Sequence, residues 1–150
     1  MAVEINTVLV PVDGTDRSER AIAHALPIAD RYGAEVHVLH VIDQAVAAGL
    51  EEGDIRADSV ADEHRAFMSA VREQVRADGH DIGLTQSTAF GYSARSLRRH
   101  PVSVVLDAAE DAAADFIVIP RQSAMDEPGA MLGKVAEYVL SYASQPVLSV

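Results

Sequence analysis

The sequence predicts a doubly wound, three-layer α/β/α fold, in which helices cover both faces of a five-stranded, mostly parallel sheet. Two observations predict it. Short runs rich in Val, Ile and Leu alternate along the chain with longer segments whose apolar residues recur at helical spacing. The first run, Ile5 to Asp13, is a nearly continuous β-branched run, as in a strand that is covered on both faces. The length of 150 residues predicts a single domain spanning residues 1–150.

The strands are predicted where β-branched residues cluster between turn-forming residues. Strand and helix alternate, so neighbouring strands are expected to run parallel, with ligands bound beyond their carboxyl ends. The third strand is the weakest of the five, because its apolar and polar residues alternate less cleanly. The predicted strands are residues 5–13, 34–42, 82–90, 115–119 and 146–150.

The first helix is predicted between Asp16 and Gly33. Asp16 and Glu19 give it a start that resembles a capping box, and Gly33 is a typical end. Pro27 lies inside this helix and removes one hydrogen bond, which predicts a kink near Ala23. The expected apolar face consists of Ile22, Ala25, Leu26, Ala29 and Tyr32.

Three further helices follow from the same periodicity. They are expected at residues 58–79, at residues 101–114 with Pro101 in the first turn, and in a last helix that opens at Gly133. The acidic stretch 43–57 reads as a loop or a short helix. The expected apolar faces are Val60, Phe67, Met68, Val71 and Val75 in the second helix, and Leu132, Val135, Ala136, Val139, Leu140 and Ala143 in the last.

Composition excludes several classes of function. A net charge of −11 argues against binding to nucleic acid, and no apolar run is long enough to span a membrane. Without cysteine there is no disulfide or thiolate metal site. The start of the chain enters a strand directly and lacks a signal peptide, which predicts a cytoplasmic protein. Eleven arginines against one lysine, with many Asp and Ala, indicate a halophilic or high-GC source.

Familiar catalytic and cofactor motifs are absent from the sequence. It contains no P-loop, no dinucleotide-binding glycine motif and no nucleophile elbow. The histidines show no metal-ligand spacing beside carboxylates. His37 and His40 lie in one predicted strand and point to opposite faces, so they cannot simply share a ligand. Packing roles are therefore favoured for both. Asp13, at the end of the first strand, could hold a ligand or only cap the turn into the helix, and the cap is favoured.

Two segments of the chain resemble the universal stress protein family. The match is close over residues 3–43, which contain "VLVPVDGTDRSERAIAHALPIADRYGAEVHVLHVID", and over residues 101–150, which contain "AADFIVIP" and "LGKVAEYVLSYASQPVLSV". Between them only the order of elements agrees. The resemblance implies a stress-response regulatory protein that acts through unidentified protein partners and is not an enzyme.

The family's ATP-binding members carry G-x-x-G, nine residues, then G-[ST], and this chain departs from that motif. The spacing is kept, but the four positions hold Pro120, Ser123, Gly133 and Lys134. Pro120 fills space and lacks an N–H, and Lys134 replaces a hydroxyl with a cation. The acidic pair Asp126 and Glu127 in the same loop would repel a polyphosphate, and Arg121 is the one further cation near in sequence.

The resemblance therefore implies a pocket whose base end is intact and whose phosphate end is altered. Adenine would lie near Asp13 and the backbone of Val41, and ATP would bind weakly or not at all. The alternative is a sensor of ATP, ADP or AMP, with Mg²⁺, or a slow ATP hydrolase. A flavoprotein-like module is a third, weaker reading. The candidate nucleotide-binding residues are Pro11, Val12, Asp13, Val41, Ile119, Pro120, Arg121, Ser123, Gly133, Lys134 and Val135.

Two further features stay open or rest on the resemblance. The family's G-x-P turn before the third main helix is replaced either by Arg99-His100-Pro101 or by the displaced glycine turn that begins at Phe90-Gly91. Arg95, Arg98, Arg99 and His100 form a basic cluster, read as a solvated loop or an anion contact. The apolar last strand, Pro146 to Val150, commonly pairs with its twofold mate in the family, which implies a homodimer.

Overall fold

A computed structural model describes residues 3–42, 44–90, 101–121 and 131–150, without the side chains of residues 44, 101–103 and 131–135. Five parallel strands form one sheet in the order β3-β2-β1-β4-β5. The predicted doubly wound fold is confirmed, and every pairing in the sheet is parallel. The strands are β1 (Thr7–Val12), β2 (Glu35–Ile42), β3 (Leu84–Phe90), β4 (Phe116–Ile119) and β5 (Val147–Ser149).

Five helices connect the strands. The acidic stretch after β2 contains a short helix, which was one of the two predicted alternatives. The helices are α1 (Asp16–Tyr32), α2 (Gln44–Glu52), α3 (Ala57–Ala77), α4 (Pro101–Asp111) and α5 (Met131–Tyr142). The sequence predicts that Gly133 opens the last helix, and this is wrong, because α5 begins at Met131 and Gly133 is its third residue.

Alternate residues of the central strands supply two separate cores. Val8 and Val10 of β1 pack with α1 and α3, whereas Leu9 packs with α4 and α5. β1 is buried along its whole length, as its apolar run predicts. β3 lies at one edge of the sheet and is largely exposed, which explains its weak apolar pattern.

The start of α1 differs from the predicted capping box. Thr15 is the N-cap residue, and its side chain makes no capping hydrogen bond to the helix. Asp16 is already helical, so it cannot act as the cap. The end is as predicted, because Gly33 adopts a left-handed conformation with φ of 66°. The helix continues through Pro27, and the kink near Ala23 stays a prediction.

Among the residues of the predicted apolar faces whose side chains are described, two are exposed. Tyr32 of α1 is 53% exposed and Leu140 of α5 is 48% exposed. The helical period places each at the border of its stripe, where burial depends on the neighbouring elements. Ala136 and Val139 carry the described contact of α5 with the sheet, and both are buried.

Candidate functional site

The carboxyl ends of β1 and β4 meet where the strand order reverses direction. β1 connects through α1 to β2 on one side, whereas β4 lies on its other side. The chain therefore leaves these two neighbouring strands in opposite directions, and a crevice opens between their ends. Asp13 follows β1 at this crevice, and Pro120 and Arg121 follow β4. We call these ends, with that of β2, the switch-point crevice.

The predicted base-binding residues do not all face the same side of the sheet. Val41 and Ile119 both belong to the core that packs against α4 and α5. Pro11 lies on that same side, because side chains alternate along a strand and Leu9 is part of that core. Val12 faces α1 and α3 instead. Its side chain lies on the opposite face of the sheet, and its predicted place beside the base stays a prediction.

Val41 lies just beyond the end of the pairing between β1 and β2. The last matched pair of these strands is Val12 with His40, whereas pairing with β3 continues through Val41 and Ala89. The β1 side of β2 thus becomes accessible at the level where Asp13 leaves β1. This geometry brings the predicted base-binding positions Asp13 and Val41 to one edge of the sheet.

Asp13 organises the turn between β1 and α1. Its Oδ1 accepts hydrogen bonds from the Thr15 N–H at 3.1 Å, the Thr15 hydroxyl at 2.7 Å and the Ser18 hydroxyl at 3.0 Å. The Asp13 N–H in turn donates to Ser18 Oγ at 2.9 Å. The favoured turn-capping role is confirmed. Among the described residues Oδ2 accepts no hydrogen bond, so this second oxygen stays available to a ligand.

The end of β4 offers little to a phosphate. Pro120 is buried and has no N–H, and the N–H of Arg121 donates to the Val150 carbonyl at 2.8 Å. The Arg121 carbonyl accepts a hydrogen bond from Arg17 Nη1 at 2.6 Å, which links the first turn of α1 to the end of β4. Sequence reasoning missed Arg17, because its contact depends on which strand lies beside β1.

The other predicted phosphate positions are only partly described. Ser123 lies outside the described residues, as do the acidic residues 126 and 127. The backbone of Gly133, Lys134 and Val135 belongs to the first turns of α5. Pro101 is the first residue of α4, as predicted, and Phe90 ends β3 with its side chain exposed. Residues 91–100, which contain the basic cluster and the other positions of both turn alternatives, lie outside the described residues.

The histidines of β2 have separate polar partners on the two faces of the sheet. The His37 ring contacts the hydroxyls of Thr85 and Ser87, each at 2.7 Å. His40 Nε2 lies 3.0 Å from Gln86 Oε1. Both residues thus have the satisfied packing roles that the sequence favours. Within the described ranges no three His, Asp or Glu residues are grouped as metal ligands.

Comparison with known proteins identifies the family. The family model described as "Universal stress protein family" matches residues 4–150. The chain belongs to the universal stress protein family. Its similarity to a curated universal stress protein of Methanocaldococcus jannaschii is 29% identity over 146 residues, 95% of this chain and 80% of that protein.

Solved structures of the family share the fold. A universal stress protein in complex with cAMP has a TM-score of 0.66 and 22% identity, with 98% of this chain and 97% of that chain covered. The universal stress protein from Archaeoglobus fulgidus in complex with dAMP has a TM-score of 0.62 and 20% identity, with 99% and 98% covered. Among the helices of the described residues, none has the length and apolar character needed to cross a membrane.

Proposed function

We propose that the protein is a stress-response regulator that acts through protein partners without catalysing a reaction. Its switch-point crevice binds an adenine nucleotide with one phosphate in preference to ATP, which it binds weakly or not at all. One observation carries this proposal. The first backbone N–H after Pro120 is that of Arg121, and it is already bonded to the Val150 carbonyl.

The base end of the crevice supports nucleotide binding. Asp13 Oδ2 can accept a hydrogen bond from an adenine amino group or a ribose hydroxyl while Oδ1 keeps the turn in place. Val41 is 6% exposed and Ile119 is fully buried, and both lie on the face of the sheet that packs against α4 and α5. Pro11 lies on this face as well. An apolar wall with one oriented carboxylate is suited to a purine.

The phosphate end supports a ligand with few phosphates. A polyphosphate needs several N–H donors or cations. At the end of β4, Pro120 has no N–H, and the N–H of Arg121 is already bonded to the Val150 carbonyl. The side chain of Arg121 is exposed and can contact a single phosphate. The related structures with cAMP and dAMP hold ligands that each carry one phosphate, which agrees with this preference.

Calorimetric titration with AMP, ADP and ATP, in high-potassium buffer with Mg²⁺, tests the proposal. We expect AMP to bind more tightly than ATP, and no release of phosphate from ATP over hours. The variant Asp13→Asn keeps an acceptor for the turn but removes the charge, and serves to separate base binding from folding. Equal or tighter binding of ATP would contradict the proposal, as would ATP turnover.

A variant with Pro120→Gly, Ser123→Gly and Lys134→Ser provides the matched comparison. It restores the family's glycines and hydroxyl at the motif spacing. We expect it to gain affinity for ATP while its affinity for AMP changes little. If the variant binds neither nucleotide, the base end is not functional and the nucleotide part of the proposal fails.

We also propose a homodimer formed through the last strand. β5 is at the edge of the sheet opposite β3, and one side of it is paired with β4. Edge strands with apolar residues are usually covered, and a second copy can continue the sheet. A test of this pairing is argued in the Discussion.

A further inference from the structure

A cavity of about 290 Å³ lies between α4 and the β2–β3 edge of the sheet. None of its lining residues is among the candidates for the switch-point crevice. α4 ends at Asp111, and shortly afterwards the Asp115 N–H bonds to the carbonyl of Thr7 at the start of β1. The Asp111 end of the cavity therefore lies toward the amino ends of the strands, away from the crevice.

One wall of the cavity is acidic. Asp107 and Asp111 are one helical turn apart on α4, so both carboxylates lie on the same face of the helix. Both residues are exposed, and no ion pair with either carboxylate is found in the described part of the chain. The rim thus carries two negative charges without a described counter-charge.

The opposite wall is polar and neutral. Ser87 Oγ lies 2.7 Å from His37 Nε2, and Thr85 Oγ1 lies 2.7 Å from Nδ1. Burial, opposed by the charge of Glu35, lowers the pKa of His37, so its ring is uncharged at neutral pH. Because a neutral imidazole has one donor and one acceptor, the two hydroxyls play opposite roles toward it. Ser87 keeps an oxygen lone pair that can accept a hydrogen bond from a ligand in either arrangement.

Small apolar side chains provide the space between these walls. Ala108 of α4 and Ala112, the residue after its end, lie opposite Leu39 and Ala89 of the sheet, and Val104 completes the apolar part. A larger residue at either alanine position would occupy the cavity. A cavity of about 290 Å³ lies at the lower limit of the roughly 300–1,000 Å³ that drug-sized ligands take, which suits a ligand with a short hydrocarbon body.

We propose that this cavity binds a small organic cation. The ammonium or guanidinium group contacts the carboxylates of Asp107 and Asp111 and donates a hydrogen bond to Ser87. A short alkyl chain packs against Ala108 and Leu39. Anions are excluded by the same two carboxylates, and the uncharged His37 ring does not repel the cation.

Titration of the protein with butylamine, butyrate and butanol, followed by amide NMR shifts, tests this inference. These probes share a chain length and differ in charge. We expect saturable shifts at Ser87 and Ala108 with butylamine, and none that saturate with butyrate. Equal responses to butylamine and butanol would show that the acidic wall plays no part and would overturn the proposal.

Three variants separate the cavity from the general acidity of the chain. Asp107→Asn should weaken butylamine binding about twofold to fivefold, the range for one exposed ion pair. Ala108→Leu should abolish the saturable shifts, with circular dichroism confirming that the fold is kept. Glu110→Gln removes one exposed charge from the same helix outside the cavity and should change nothing. If Glu110→Gln weakens binding as much as Asp107→Asn, only the overall charge attracts the amine and the proposal is wrong.

Discussion

The imidazole rings of His40 and His64 are stacked, with centroids 4.1 Å apart and planes inclined by 16°. His40 belongs to β2 and is 3% exposed, whereas His64 belongs to α3. The Phe67 ring meets His40 edge-on at 5.9 Å, and Gln86 binds its Nε2. This pair attaches α3 to the sheet through two ionisable groups.

The stacked pair predicts that the protein loses stability as the pH falls from 6.5 to about 4. Burial, followed by the charge of a protonated His64, lowers the pKa of His40 to about 4, while the Gln86 hydrogen bond opposes the shift. Burial also lowers the pKa of His64, against the charge of Glu63. Between these pH values the unfolded chain binds protons that the folded chain does not. For His40 the shift corresponds to about 3 kcal/mol of unfolding free energy.

Urea denaturation at a series of pH values measures this effect. The variant His64→Phe keeps a ring on His40 but removes one titrating partner, so its stability should depend less on pH over this range. The control His24→Gln replaces an exposed histidine of α1 and should keep the full dependence. A native protein whose stability is constant from pH 6.5 to 4 would contradict the prediction.

The sequence predicts the buried strands because burial on both faces leaves a continuous apolar run, as in β1. It predicts the main helices because their apolar residues recur at helical spacing. It does not predict the stacking of His40 on His64, because that contact depends on how α3 lies across β2. The turn-capping role of Asp13 follows from local spacing and is predicted. The contact of Arg17 with the end of β4 is not, since the two residues are adjacent only through the strand order.

Leu26 and Leu140 should differ sharply in their contributions to stability. Both were placed on apolar stripes by sequence, but Leu26 is 1% exposed and Leu140 is 48% exposed. Leu26→Ala should cost about 2–5 kcal/mol because it leaves a cavity in the α1 core. Leu140→Ala should cost less than about 1 kcal/mol. Urea denaturation of both variants checks this, and equal losses would place Leu140 in a buried interface, such as one between copies of the chain.

Asp13→Ala should destabilise the protein by about 1–2 kcal/mol, since it removes the acceptor shared by Thr15 and Ser18. Asp13→Asn keeps an oxygen acceptor and should cost less than half as much. Denaturation of both variants without nucleotide isolates the turn from any ligand. A larger loss in Asp13→Asn than in Asp13→Ala would mean that the negative charge, and not the accepted bonds, stabilises the turn.

Ser149→Pro should weaken the proposed homodimer while keeping β5 paired with β4. The Pro146 carbonyl accepts a hydrogen bond from the Ile117 N–H of β4. The Val150 N–H donates to the Ile119 carbonyl, and the Val150 carbonyl accepts from the Arg121 N–H. Backbone groups of a strand alternate in direction, so those of Val147 and Ser149 point away from β4 toward the open edge.

A proline at position 149 removes an outward N–H and is tolerated at an edge strand. Ser149→Ala removes only the hydroxyl and serves as the matched control. Sedimentation equilibrium should show a dimer for the native chain and for Ser149→Ala, and a dissociation constant raised at least about tenfold for Ser149→Pro, as expected when edge hydrogen bonds of roughly 1 kcal/mol each are lost from both copies. An unchanged dimer in Ser149→Pro would exclude pairing of the β5 edges as the contact.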